Sequence, residues 1–200
     1  PLAGTSTNKG ENTMKTNFVC KKVVIYFLFV FILSGCKQST TEPTIQNSFI
    51  LNESFETNNI STLQWRFGNQ KLAQLINEAP TDGGSWSLQL TSDWAPTTGF
   101  IYKPISNVNS GDIIKLSAFV RGSGNFHGKG IITLSVGPNY YSSRSKSSYS
   151  SDTVWNQISI IDTIKLEVND TVWVILSSPI TEIVQYQQLF DMVKLEKVTK

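Results

Sequence analysis

The sequence predicts an all-β fold, a two-sheet antiparallel β-sandwich filling residues 48–200. Three observations predict it. Short runs rich in β-branched and aromatic residues alternate with turns bearing glycine, asparagine and proline, at the spacing of an all-β domain. Within several runs one face is apolar and the other polar, as in a sheet that covers a core on one side. No apolar period of 3.6 residues persists beyond two turns, so no long amphipathic helix competes.

In chain order the candidate strands are Phe49–Phe55, Leu63–Phe67, Leu72–Glu78, Trp86–Thr91, Phe100–Ile105 and Asp112–Arg121. Gly130–Val136, Val154–Ile160, Thr163–Val168, Thr171–Ser177 and Leu189–Val198 complete the set. Ala73–Ile76 would also suit a short helix. Between the runs, Thr81-Asp82-Gly83-Gly84, Asn109-Ser110-Gly111-Asp112, Arg121-Gly122-Ser123-Gly124-Asn125 and Gly137-Pro138-Asn139 supply turn chemistry. Alternation then names the buried faces. Ile114, Leu116, Ala118 and Val120 oppose Lys115, Ser117, Phe119 and Arg121. Ile132, Leu134 and Val136 oppose Thr133 and Ser135. Val172, Val174 and Leu176 oppose Trp173 and Ile175, and Leu88 and Leu90 flank Gln89. Trp65 and Trp155 are expected in the core. Ser142–Ser151, with Arg144 and Lys146, is expected to be a solvated hairpin or loop, whose hydroxyls could meet a glycan.

Ahead of the domain lies a leader. Met14 opens a stretch with Lys15, Lys21 and Lys22, followed by the apolar run Val23–Leu33. That layout is a secretory signal peptide over residues 14–35, too short for the ~20 residues of a spanning helix. Leu33-Ser34-Gly35-Cys36 resembles the lipobox of bacterial lipoproteins, which implies that Cys36 is acylated and becomes the first mature residue. Lys37 stands where an aspartate would favour inner-membrane retention, so the expected place is the cell envelope, the outer membrane in particular, with either face open. The membrane contact is then lipid alone. Residues 36–47 are polar and rich in threonine and serine, a flexible tether. Pro1–Thr13 is unpatterned and reads as an upstream extension that is not native.

Removing the leader changes the balance of charge. The chain has 17 Lys+Arg and 15 Asp+Glu; four of the former and one of the latter precede Cys36, leaving 13 against 14 and a net charge of −1. A near-neutral domain lacks the footprint of nucleic-acid binding. Cys20 leaves with the leader and Cys36 is acylated, so no thiol remains for a disulfide, a zinc site or a nucleophile. Catalysis has little to stand on. The one histidine, His127, falls in a glycine-rich turn that cannot fix a base. No pair of carboxylates is singled out for glycoside hydrolysis, and no phosphate loop opens a helix.

Several segments then stand in a telling order. Asn52-Glu53-Ser54-Phe55-Glu56 opens the domain and Trp65 follows. Next come Gly83-Gly84-Ser85-Trp86-Ser87-Leu88-Gln89-Leu90, the stretch from Ile105 to Val120, Trp155, and Phe190-Asp191-Met192-Val193-Lys194-Leu195-Glu196. This series resembles the galactose-binding-like jelly rolls, in particular carbohydrate-binding modules of the family 4/9 type, over residues 49–198. Two positions depart from the family pattern: Met192 follows Asp191 where a second aspartate is common, and Ile114 replaces the usual aromatic. The first weakens any carry-over of a metal site.

The resemblance implies a jelly roll that binds carbohydrate without catalysis, and a structural calcium. Glu56 and Asp191 would give that ion side-chain oxygens and the Gly84–Trp86 turn, Ser85 within it, would give carbonyls, with Glu53 in reserve. Sugar rings present a flat C–H face that stacks on aromatics while polar groups take the hydroxyls. Candidate contacts are Trp94, Tyr140, Tyr141 and Trp86 in or beside loops, and Arg121 and Trp173, with Phe119, on strand faces opposite the core; Trp173 would as readily pack under a loop. Two functions suit these features: an envelope lipoprotein that binds a polysaccharide or oligosaccharide, or an adhesin or scaffold lipoprotein that uses the same sandwich to hold an envelope protein.

Overall fold

The computed structural model describes residues 49–92, 98–123, 128–179 and 186–198; the leader, Cys36 and its tether, Trp94 and His127 lie outside the described residues. Eleven strands follow in order: β1 (Phe49–Glu53), β2 (Arg66–Phe67), β3 (Ala73–Ile76), β4 (Ser87–Thr91), β5 (Phe100–Ile105) and β6 (Ile113–Ser123). Then come β7 (Gly130–Gly137), β8 (Ser145–Ser150), β9 (Asn156–Thr163), β10 (Thr171–Ser177) and β11 (Gln187–Lys197). They form two sheets in which every pairing is antiparallel. The first has the order β3-β4-β11-β6-β9 with β1 added beside β11; the second runs β2-β5-β10-β7-β8. The all-β sandwich stands as expected.

The core lies between the sheets, on the faces that alternation named. Ile114, Leu116, Ala118 and Val120 of β6, Leu88 and Leu90 of β4, and Ile158 and Ile160 of β9 come from the first sheet. Ile101 of β5, Ile132 and Leu134 of β7, and Val172, Val174 and Leu176 of β10 come from the second. Trp65 is buried there as expected, 6.4 Å from Phe55 between ring centroids. Its indole N–H donates to Glu53 at 3.2 Å. Trp155 differs from expectation. Ile158 and Ile160 set the inward phase of β9, so Trp155 falls in the opposite phase, half-buried beneath the guanidinium of Arg121, 5.7 Å from its ring.

Strand β11 is the axis of its sheet. Along one side it pairs with β6. On the other its first half pairs with β4 and its second half with β1. The register slips between Asp191 and Lys194, so Met192 and Val193 stand against one residue of β6, Ala118. Met192 takes φ 48° at this bulge. The extra residue reverses the side-chain phase, so Phe190 before it and Val193 and Leu195 after it all face the core.

Three further differences are local. The expected strand Leu63–Phe67 shrinks to β2, because a 3-10 turn at Ile60–Thr62, capped by the Asn59 side chain on the Ser61 amide at 3.0 Å, takes the preceding residues. A matching turn at Gln70–Leu72, capped by Asn69, precedes β3, which is extended rather than helical. The expected strand Thr163–Val168 is absent: β9 continues through Asp162, which pairs with Ile114, and ends at Thr163. Ile164 then inserts into the core, its backbone held by Gly111 and Asp112 at 2.8 Å, and Leu166, partly buried, packs against that core. Ser142–Ser151, expected as a solvated hairpin or loop, is the hairpin: it contains β8, an exposed edge strand antiparallel to β7 with a hydroxyl pair between Thr133 and Ser147 at 2.8 Å.

Core packing sets the expected stability contrast. Leu116→Ala should cost about 2–5 kcal/mol, because it empties a fully buried site. Val168→Ala, at a residue 90% exposed, should stay within about 0.5 kcal/mol. Urea denaturation of the two variants beside wild type measures both; equal effects would contradict the placement of the core.

Candidate functional site

The outward face of the second sheet carries an aromatic groove. In β5 the residues alternate, with Ile101 and Ile105 buried and Phe100 and Tyr102 on the opposite face. Register extends these positions into rows. Phe100 pairs with Ser177 and Ser177 with Ile131; Tyr102 pairs with Ile175 and Ile175 with Thr133; Pro104 pairs with Trp173 and Trp173 with Ser135. Phe100 can lie flat here because Gly68 has no side chain: a Cβ at Gly68 would fall 2.0 Å from the Phe100 ring.

The loop after β7 folds back over these rows. Tyr140 stacks on Tyr102 at a centroid separation of 4.1 Å and meets Trp173 edge-on at 6.2 Å. Tyr141 follows 4.1 Å from Tyr140, and Phe100 closes the cluster at 5.8 Å from Tyr140. Two bonds set the loop. The Trp173 indole N–H donates to the Gly137 carbonyl at 3.1 Å, and the Tyr141 amide donates to the Asn139 side chain at 3.0 Å. A side-chain hydrogen bond with Tyr141, and then burial, push the Tyr140 phenol up to about 12, so it remains a neutral hydroxyl.

The groove has a volume of about 740 Å³. Its walls are Phe100, Tyr140, Tyr141, Ile131, Ile175 and Pro179, with Asn69, Thr98, Thr133, Ser177 and Ser178 as the polar contribution. Among the described residues that line it, none carries a charge. An apolar trough with a few hydroxyls and one amide suits a neutral ligand with flat C–H faces and many hydroxyl groups.

The expected contacts separate on this map. Tyr140 and Tyr141 line the groove, and Tyr141 is 75% exposed. Trp173 is 8% exposed and serves as the seat beneath Tyr140 rather than as a surface for ligand. Arg121 lies on the other sheet, ion-paired to Glu78 at 2.5 Å and set over Trp155. Trp86 also belongs to that side, at the turn before β4, where its amide donates to Glu56 at 2.9 Å. Sequence reasoning missed Phe100, Tyr102 and Asn69. The two aromatics were visible as a spacing of two in Phe100-Ile101-Tyr102, a shared face of one strand.

The expected metal residues meet at the bulge of β11. Asp191 is fully buried; its Oδ1 accepts from the Met192 amide at 2.6 Å, and its Oδ2 has no partner among the described residues. Burial pushes its carboxyl up to about 7 against the pull of that amide, and the nearby charges of Glu56 and Glu53 raise it further. Gly84, at φ 90°, lets the turn close on Glu56, whose carboxylate accepts from the amides of Ser85 and Trp86 at 2.9 Å. Ser85 thus serves Glu56 through its N–H, while its carbonyl accepts from Asn77 at 3.1 Å. The described residues contain no group of three acids placed to hold a metal by themselves. The orphaned oxygen of Asp191 beside Glu56 fits one edge of a hard-cation site, which backbone carbonyls or water would have to complete.

No protein-family model matches the chain, and no curated protein matches it. Solved structures do. The N-terminal CBM22-1–CBM22-2 tandem domain of Paenibacillus barcinonensis Xyn10C aligns with 80% of this chain and 52% of its own, at 14% identity and TM-score 0.59. The CBM22-2 xylan-binding domain alone aligns with 74% of this chain and 99% of its own, at 15% identity and TM-score 0.56. The CBM22-1–GH10 modules of Clostridium thermocellum xylanase 10B, complexed with xylohexaose, align at 15% identity and TM-score 0.54 over 76% of this chain and 29% of theirs. The chain thus spans less than a third of that enzyme's modules, and 28% of an arabinofuranosidase that it also matches. At these identities the likeness is one of fold: the chain has the β-sandwich of carbohydrate-binding modules.

Proposed function

We propose that this chain is a lipid-anchored, non-catalytic module that binds a neutral glycan in the aromatic groove of its second sheet. The observation that carries this reading is the uncharged trough built on Tyr102, Tyr140 and Tyr141. Support comes from the fold neighbours: a CBM22-2 xylan-binding domain and CBM22-1–GH10 modules complexed with xylohexaose. In such a trough a sugar ring would lie on Tyr141 and Phe100, while Asn69, Thr98, Thr133 and Ser177 take its hydroxyls. Binding of this kind needs no ion pair and should be insensitive to salt. The anchor in the same proposal is Cys36, on the lipobox resemblance of Leu33-Ser34-Gly35-Cys36. A calcium ion held in part by Asp191 and Glu56 would neutralise their charges and tie the turn before β4 to the bulge of β11.

Three measurements test these parts separately. Electrophoresis of the purified protein through gels containing neutral polysaccharides should show retardation by at least one, unchanged by added salt. Tyr141→Ala should weaken it by more than about 1 kcal/mol while leaving the fold intact, because an exposed aromatic is lost from the contact; free migration of wild type in every gel would defeat the reading. For the anchor, Cys36→Ala should move the protein from the membrane fraction to the soluble one and remove the lipid mass. For calcium, the wild-type melting temperature should rise on replacing a chelator with Ca²⁺, because an ion that binds only the native state stabilises it. Asp191→Asn should melt at the same temperature in both conditions. A wild type indifferent to Ca²⁺ would end that part of the proposal.

A further inference from the structure

The groove does not stop at the residues that wall it. Its first row, Phe100–Ser177–Ile131, continues one strand further, because Ile131 pairs with Tyr149 of β8. Tyr149 therefore shares the outward face, as does Ser147 two residues earlier, whose hydroxyl meets Thr133. The ring is 56% exposed, and the Lys129 ammonium sits 4.3 Å from its centroid. A cation over one face of an aromatic ring holds the ring by its quadrupole and leaves the second face free. From Phe100 to Tyr149 there are three strand-to-strand steps, or about 14 Å at the usual spacing of neighbouring strands. Between the two aromatics the floor consists of Ser177 and Ile131, with Ile175 and Thr133 in the next row, all too short to block a ligand.

We infer that Tyr149 is a second stacking platform, positioned by Lys129, and that the ligand is an extended neutral oligosaccharide lying across the strands from Tyr141 and Phe100 to Tyr149. The inference rests on the proposed glycan-binding function and adds to it a direction, a minimum length and a residue. A single sugar would occupy one platform only; a chain reaches both. Phe100 and Tyr149 belong to one sheet, so a chain that spans them gains the second contact without a second loss of rotational freedom.

Calorimetric titration of the full chain with xylo-oligosaccharides and cello-oligosaccharides, from monosaccharide to hexasaccharide, tests it. Wild type should gain affinity with length until both platforms are covered and then level off. Tyr149→Ala should bind the shortest ligands that register with wild-type affinity and lose roughly tenfold for the longer ones, the scale of one aromatic stacking contact. Tyr149→Phe should behave as wild type, since the ring rather than the hydroxyl makes the contact. Lys129→Ala should show a smaller loss confined to the longer ligands, whereas Tyr141→Ala should weaken every length. If Tyr149→Ala matches wild type at every length, or affinity is already level at the shortest ligand, the second platform is wrong while glycan binding stands. If neither series binds wild type, glycan binding of this kind fails and the platform with it.

Discussion

The bulge at Met192 is the constraint on which the first sheet depends. An eleven-residue strand with strict alternation would send half of its apolar residues to the wrong face wherever its sequence changed phase. One extra residue resets the phase, so Phe190 and Val193 both reach the core. The same step divides the strand between two neighbours, β4 before it and β1 after it. It also brings a carboxylate inside: Asp191 stands at the point of slippage, buried, with the turn of Gly83 and Gly84 drawn over it and Glu56 nearby. Packing of the sheet and the charge of this corner are therefore one problem. A buried carboxylate must be neutralised by a proton or by a cation, since its desolvation is too costly to leave bare.

The second sheet solves a different problem, that of presenting aromatics to water without losing them to the core. Its inward phase is aliphatic and packs densely, which frees the outward phase to carry Phe100, Tyr102 and Trp173. Trp173 gives up its own exposure to seat the Gly137–Tyr141 loop, and the tyrosines gain a fixed orientation from it. Rigid aromatics are effective contacts because little conformational freedom is lost when a ligand arrives. Among the described residues that line the groove none is charged, whereas Arg121 pairs with Glu78 on the first sheet and Arg144 with Asp170 beside β8.

Much of this was legible in the residues. The apolar rows of β4, β6, β7 and β10 alternate cleanly because each strand covers the core on one side only, and the structure puts those rows inside. The tyrosine pair after Gly137-Pro138-Asn139 was also visible, since two large aromatics in a turn have no core to enter. Other features were hidden for physical reasons. β8 is made of serines with one lysine and one tyrosine, so its pairing with β7 leaves no hydrophobic trace. Thr163–Val168 imitates a strand because Ile164 and Leu166 alternate, yet Ile164 is held by a loop backbone and not by a ladder. Arg121 and Trp173 share an outward phase, and only strand pairing reveals that they belong to opposite sheets. Phe100 and Tyr102 went unnoticed because β5 carries apolar residues on both faces, which blurs its alternation.

The serine-rich strand β8 has one more consequence. As the outer member of its sheet it leaves a row of backbone amides and carbonyls free to recruit another chain. Lys146 within it reaches across to Asp162 of β9, clipping the open margin of one sheet to the other, and Arg144 just before it is tied to Asp170, just ahead of β10 in its own sheet. Fixed charges at an edge strand oppose its pairing with another chain.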